Sequence, residues 1–77
     1  MKWVKKIRKM FGNAEKVNNN QVIVRTDGEI DFQITRIKKK FYIKMIDVEP
    51  ELEVKNINDL TTAAEVLLYL FYGDYYG

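Results

Sequence analysis

Apolar residues recur along this chain with two different periods. Near both ends the spacing is three or four; between residues 21 and 46 it is two. The first pattern is that of a helix with one buried face, the second that of a half-buried strand.

Trp3, Val4, Ile7, Met10 and Phe11 fall at i, i+1, i+4, i+7 and i+8, which predicts an amphipathic helix over residues 1–12. Lys2, Lys5, Lys6, Arg8 and Lys9 cover its other side. Gly12 and Asn13 end it, with basic residues in the last turn where the helix dipole favours them. Residues 12–20 are polar and end in Asn18-Asn19-Asn20, the composition of a loop.

Strands are expected over 21–26, 29–37 and 41–48. Asp27-Gly28 marks a hairpin turn. A two-residue loop would pair Val24 with Asp31 and mix core with surface. A three-residue loop over Thr26, Asp27 and Gly28 pairs Arg25 with Glu29, Val24 with Ile30 and Val22 with Phe32. That register gathers Val22, Val24, Ile30, Phe32 and Ile34 on one face, with Gly28 left-handed in a bulge. Phe41, Ile43 and Met45 extend the buried face; Tyr42, Lys44 and Ile46 point away. The Lys38-Lys39-Lys40 tip leaves the register of the second hairpin open. Pro50 ends the third strand, and Leu52 and Val54 alternate with acidic residues as a short fourth strand in the alternative.

Residues 58–72 predict the last helix. Asn58 suits its N-cap, with a start one turn later at Thr62 and Glu65 as the alternative, and Gly73 suits a left-handed close. Leu60, Ala64, Leu67 and Phe71 form one stripe. Val66, Leu68, Tyr69, Leu70 and Tyr72 make the remaining sides apolar as well, which predicts a helix buried on most sides. The expected fold is α+β: a single two-layer domain over 1–77, with an N-terminal amphipathic helix, an antiparallel meander of three strands (four in the alternative) and a buried C-terminal helix. A chain of 77 residues has little interior to offer a helix of that kind. Either the helix lies deep in the core or its second face packs on another protein or a second copy. Leu68, Tyr69, Tyr72, Tyr75 and Tyr76 are the candidate interface, and a homodimer is the expected assembly.

Composition narrows the chemistry. There is no Cys and no His, which removes thiolate nucleophiles and metal sites, the commonest general base and the commonest zinc ligand. No Gly-rich phosphate loop or nucleophile elbow occurs, so no enzyme is expected and no cofactor or metal. Asp47, Glu49, Glu51 and Glu53 would line one side of an extended segment, but no turned loop wraps them around a cation. The longest uncharged apolar run, Val66 to Tyr72, is too short to span a bilayer, and no signal-peptide core is present. A cytoplasmic protein is expected. Abundant Lys, Ile, Asn and Tyr suggest an AT-rich genome and fit a phage or mobile-element product.

The net charge of +2 hides an asymmetry. Residues 1–44 hold 12 Lys/Arg and 4 Asp/Glu; residues 45–77 hold 1 Lys and 7 Asp/Glu. Three function classes follow. The first is a non-catalytic protein-binding or regulatory module acting through the last helix. The alternative is a nucleic-acid binder using Lys2, Lys5, Lys6, Arg8, Lys9, Lys38, Lys39 and Lys40, with Tyr42 as a stacking ring. The third is a peripheral membrane protein held by the first helix, with Trp3 and Phe11 as anchors.

Overall fold

The alternation between residues 21 and 46 decides the architecture. In the computed structural model, which describes residues 2–26 and 30–76 (backbone only for 74–76), it builds an antiparallel meander with both helices on one face. The elements are α1 (Lys2–Phe11), β1 (Glu15–Asn18), β2 (Gln21–Arg25), β3 (Asp31–Ile37), β4 (Lys40–Met45), β5 (Leu52–Val54) and α2 (Leu60–Tyr76), the last preceded by a 3₁₀ turn at Ile57–Asp59. The five strands lie in chain order, each hydrogen-bonded to the next. The α+β class and the meander agree with the sequence; β5 is the short fourth strand of the alternative at Leu52 and Val54, and β1 is added to it.

One face of the sheet carries Val22, Val24, Phe32, Ile34, Phe41, Ile43 and Met45, all buried. Trp3, Val4 and Ile7 of α1 and Leu60, Ala63, Ala64 and Leu67 of α2 close over it. Among the described residues no polar or charged side chain is buried, so this core is held by apolar burial and packing alone. The tilted contact of Trp3 with Phe41, centroids 6.1 Å apart, joins the start of α1 to β4. The opposite face is mostly polar and faces outward: Gln21, Gln33, Thr35, Tyr42, Lys44 and Glu53 alternate with the core residues, with Ile23 and Ile37 as aliphatic exceptions.

The first hairpin differs from expectation by two residues. Val24 pairs with Phe32, Val22 with Ile34 and Arg25 with Asp31, leaving a five-residue connection in which Thr26 Oγ1 donates to the Ile30 carbonyl. A shift of two keeps each side chain on its face, so the buried set survives although the pairs do not. The expected left-handed Gly28 lies outside the described residues.

β1 occupies the segment expected to be a loop. All four of its residues are exposed, and a bulge between Lys16 and Asn18 breaks its pairing with β2. Asn13 ties the segment to the sheet with its side chain: Nδ2 donates to the Arg25 carbonyl at 2.6 Å and Oδ1 accepts from the Arg25 amide at 2.8 Å. The third strand ends at Met45 rather than residue 48, because Asp47 takes a positive φ of 63° in the turn that follows. The Glu49–Pro50 bond is cis. This path breaks the expected row of carboxylates from Asp47 to Glu53.

The end of α1 agrees with the sequence reading, and both ends of α2 differ from it. Gly12, at φ 87°, closes α1 as expected. Gly73 does not close α2, which runs on to Tyr76. Asn56, not Asn58, is the cap: its Oδ1 accepts from the Asn58 amide at 2.9 Å and starts the 3₁₀ turn that feeds α2. Nor is α2 buried on most sides. One stripe is buried, and Val66, Tyr69, Leu70 and Tyr72 are exposed.

The second hairpin turns on Lys38 and Lys39 alone, since Ile37 pairs with Lys40. Lys38 has φ 58°, the sign that a type II′ turn requires at its first central position and that glycine adopts at least cost. Lys38→Gly is therefore expected to raise the unfolding free energy by about 0.5 to 1 kcal/mol, the relieved strain less glycine's entropy. Asn13→Ala is expected to lower it by about 1 to 2 kcal/mol through the two lost hydrogen bonds. Chemical denaturation of both variants at one pH checks these values.

Candidate functional site

Two surfaces gather the residues singled out in the sequence. The first is a basic cleft. Lys2 and Lys6 project from α1, Arg36 from the end of β3, and Lys55 from the bend after β5. With Trp3, Phe41, Asn56 and Ile57 they line an open cleft of about 640 Å³. Arg36 stands opposite Phe41 in the β3–β4 ladder, on the same side of the strand as Phe32 and Ile34. Its side chain therefore leaves the sheet on the helix-covered face, where the core ends and α1 begins. No carboxylate lines the cleft, and no ion pair occupies these four cations among the described residues.

Trp3 is 91 % buried in this wall (9 % exposed), and its indole Nε1 has no hydrogen-bond acceptor among the described residues. A buried unpaired donor of this kind costs about 1 to 3 kcal/mol.

The other expected cations are scattered. At about 100° per residue, Arg8 and Lys6 fall on opposite flanks of α1. Arg8 reaches the far corner of the fold, where its Nη2 donates to the Ala14 carbonyl at 3.1 Å. Lys5 and Lys9 are exposed on α1, Lys9 beyond the cleft on the same helical row as Lys2 and Lys6. Lys38 and Lys39 form the turn immediately beyond the Arg36–Phe41 pair, at the cleft end of the sheet. Lys40 is engaged elsewhere, in a 3.2 Å ion pair with Glu53. Tyr42, expected as a stacking ring, lies on the outer sheet face and donates its hydroxyl to Glu53 Oε1 at 2.9 Å.

That hydrogen bond moves both groups. It holds the Glu53 carboxyl below the ordinary carboxylate range, with Lys40 adding to the effect. It raises the Tyr42 phenol above its ordinary value, since a deprotonated phenol would face a carboxylate.

The second surface is the outer side of α2. Val66, Tyr69, Leu70 and Tyr72 are 43, 79, 41 and 46 % exposed. Their spacing puts Val66, Tyr69 and Leu70 on one stripe, and Tyr72 meets Phe71 edge to face at 5.4 Å. Leu68, expected in the exposed set, is instead partly buried against the core. The side chains of Tyr75 and Tyr76 lie outside the described residues. Beside the stripe, Leu70 and Phe71 join Met45, Val48, Glu49, Pro50 and Leu67 around an apolar groove of about 240 Å³.

Among the described residues no group of three or more Asp and Glu comes together as a metal-holding set. No described helix is long and apolar enough to cross a membrane. No protein-family model, no curated protein and no solved structure matches this chain.

Arg36 and Lys55 were missed in the sequence, although Arg36 carried a signal. It holds the parity of the core residues on β3, and a charge on that parity at a strand end marks where the buried face opens. Lys55 carried none, being the one cation of an acidic segment.

Loss of the Tyr42 donor, as in Tyr42→Phe, is expected to return the Glu53 titration upward toward the ordinary carboxylate value. Because the folded Glu53 is lowered, its contribution to stability is full above the unfolded-state value and is lost as pH falls through the folded one. Tyr42, raised, behaves in the opposite sense at alkaline pH. Carboxyl-carbon NMR titration of both proteins reads the shift directly.

Proposed function

We propose that this chain is a protein-binding module that works through the outer side of α2, and that its first partner is a second copy of itself. The observation that carries this is the Val66, Tyr69, Leu70 and Tyr72 surface. A helix that has already given one stripe to the core keeps a second apolar stripe in solvent. Between Leu60 and Gly73, Glu65 is the only charged residue. An ordinary solvated helix face would carry several charges, and charge depletion with exposed Tyr is the composition of an interface centre.

Self-association is favoured because projection and recess lie side by side. Tyr69 is the most exposed large apolar residue described, and the groove edged by Leu70 and Phe71 adjoins it. A two-fold contact lets the ring of each copy enter the groove of the other. The size of the surface sets the strength. A helix of 17 residues is about 25 Å long and about 10 Å wide, well short of the roughly 800 Å² each partner gives to a standard interface. The groove must contribute, and the dimer belongs to the weak, concentration-dependent class.

Sedimentation velocity over a range of concentrations tests this. The wild-type chain is expected to rise above its monomer mass of 9.2 kDa as concentration increases. Tyr69→Glu and Leu70→Glu are expected to stay monomeric with unchanged circular dichroism, because both sites are solvent-facing. A wild-type chain that remains monomeric throughout removes the second copy as the partner, and assembly that persists in both variants removes α2 as the interface.

A further inference from the structure

We propose that the cleft between the start of α1, the end of β3 and the bend after β5 binds the phosphate backbone of a nucleic-acid strand. Lys2, Lys6, Arg36 and Lys55 converge on it from three separate parts of the chain, and among the described residues no carboxylate lines it. Elsewhere in the fold the described ion pairs engage the cations beside acids: Arg25 meets Glu15 and Asp31, and Lys40 meets Glu53. Glu53, two residues before Lys55, is held by Tyr42 and Lys40 on the outer sheet face and feels Lys55 only as the weakest of its neighbours, while Glu51 and Asp59, four residues to either side, do not line the cleft. The four cleft cations are thus left facing solvent together, the footprint expected for a polyanion.

A second observation points to the same place. Trp3 lines the cleft, is nine-tenths buried, and keeps an indole N–H with no acceptor among the described residues. An oxygen-rich ligand seated there supplies acceptors to a wall whose charged groups are all donors.

The chemistry separates a nucleic acid from the other carriers of phosphate. A lipid surface needs exposed apolar anchors beside its cations. Trp3 and Phe41 are buried and Ile57 is partly buried, so the apolar face of α1 is already spent on the sheet. A single small phosphate needs a closed nest. This cleft is open, and its positive surface continues along α1 from Lys2 through Lys6 to Lys9, about 10 Å of helix. A linear polyanion uses that length. The lining offers cations and little exposed ring surface, so recognition is of the backbone and tolerant of sequence.

The test is anisotropy of a fluorescein-labelled oligo-dT of about 12 nucleotides, titrated with the full chain. With four phosphate contacts the slope of log K against log salt is expected near −2.8, or about 50-fold weaker binding at 200 mM than at 50 mM salt. Lys6→Gln and Lys55→Gln, both at exposed positions, are each expected to flatten the slope by about 0.7. Lys44→Gln, on the opposite sheet face, is expected to change neither affinity nor slope. No binding, equal loss in Lys44→Gln, or unchanged slopes in the two cleft variants overturns the proposal. Anionic vesicles and inorganic phosphate serve as rivals. Vesicle binding without oligonucleotide binding overturns it in favour of a lipid surface. Inorganic phosphate binding as tightly as the oligonucleotide overturns the strand in favour of a single-anion site.

Discussion

One sheet face must cover the apolar sides of two helices, and the rest of the molecule follows from that constraint. Strands β2, β3 and β4 put all their large apolar residues except Ile23 and Ile37 on it. α1 meets it with Trp3, Val4 and Ile7. α2 meets it with Leu60 and Leu67 spaced by Ala63 and Ala64, small residues that let the helix axis approach a row of Phe41, Ile43 and Met45. Because the described core contains no buried polar side chain, nothing but shape and apolar area specifies this packing. The covered area is also finite. Apolar residues that find no place on it, above all those on the far side of α2, are left in water.

The same constraint explains how much could be read from the chain. Periodicity reports which face a residue occupies, so the buried residues of β2, β3 and β4 and both helical stripes were legible. It cannot report register modulo two. Val24 faces the core whether it pairs with Ile30 or Phe32, and so a three-residue and a five-residue connection look alike. Strand β1 was invisible for a related reason. An edge strand exposed at all four positions has no alternation, and Asn13 joins it to the sheet with an amide that reads as loop composition. Glycine and lysine misled in opposite directions. Gly73 sits within α2 where no close neighbour demands a missing Cβ, and Lys38 holds the left-handed turn that composition reserves for glycine or asparagine.

Charge was legible as an inventory and not as an arrangement. The chain divides into a basic part and an acidic part, yet the meander does not keep them apart. β5 brings Glu53 beside Lys40 and Tyr42, which removes two residues of the expected nucleic-acid set. It also delivers Lys55, the only cation after residue 44, to the cleft formed by Lys2, Lys6 and Arg36. Adjacent lysines at the hairpin tip looked like a site in one dimension. In three dimensions the convergence comes from residues up to 53 positions apart, and that convergence depends on strand order and on the direction of α1, neither of which local sequence encodes.

The basic cleft lies before the start of α2 and the apolar stripe lies along its outer side, which makes the two surfaces separable. The 3₁₀ turn at Ile57–Asp59 lies at the basic cleft, and Tyr69 stands nine residues into α2 from Leu60, about 13 Å along the helix axis. That exceeds the Debye length at physiological salt, so a charge change at the cleft is largely screened from the apolar stripe. The cleft lining and the exposed stripe share no residue, so the two contacts draw on different side chains. In a two-fold pair each chain would carry its own cleft at the end of α2 away from the contact. Two separated basic sites on one particle raise the effective concentration of the second contact for any strand long enough to reach both. Weak association through α2 and modest phosphate contact at each cleft would then reinforce one another without sharing a single side chain.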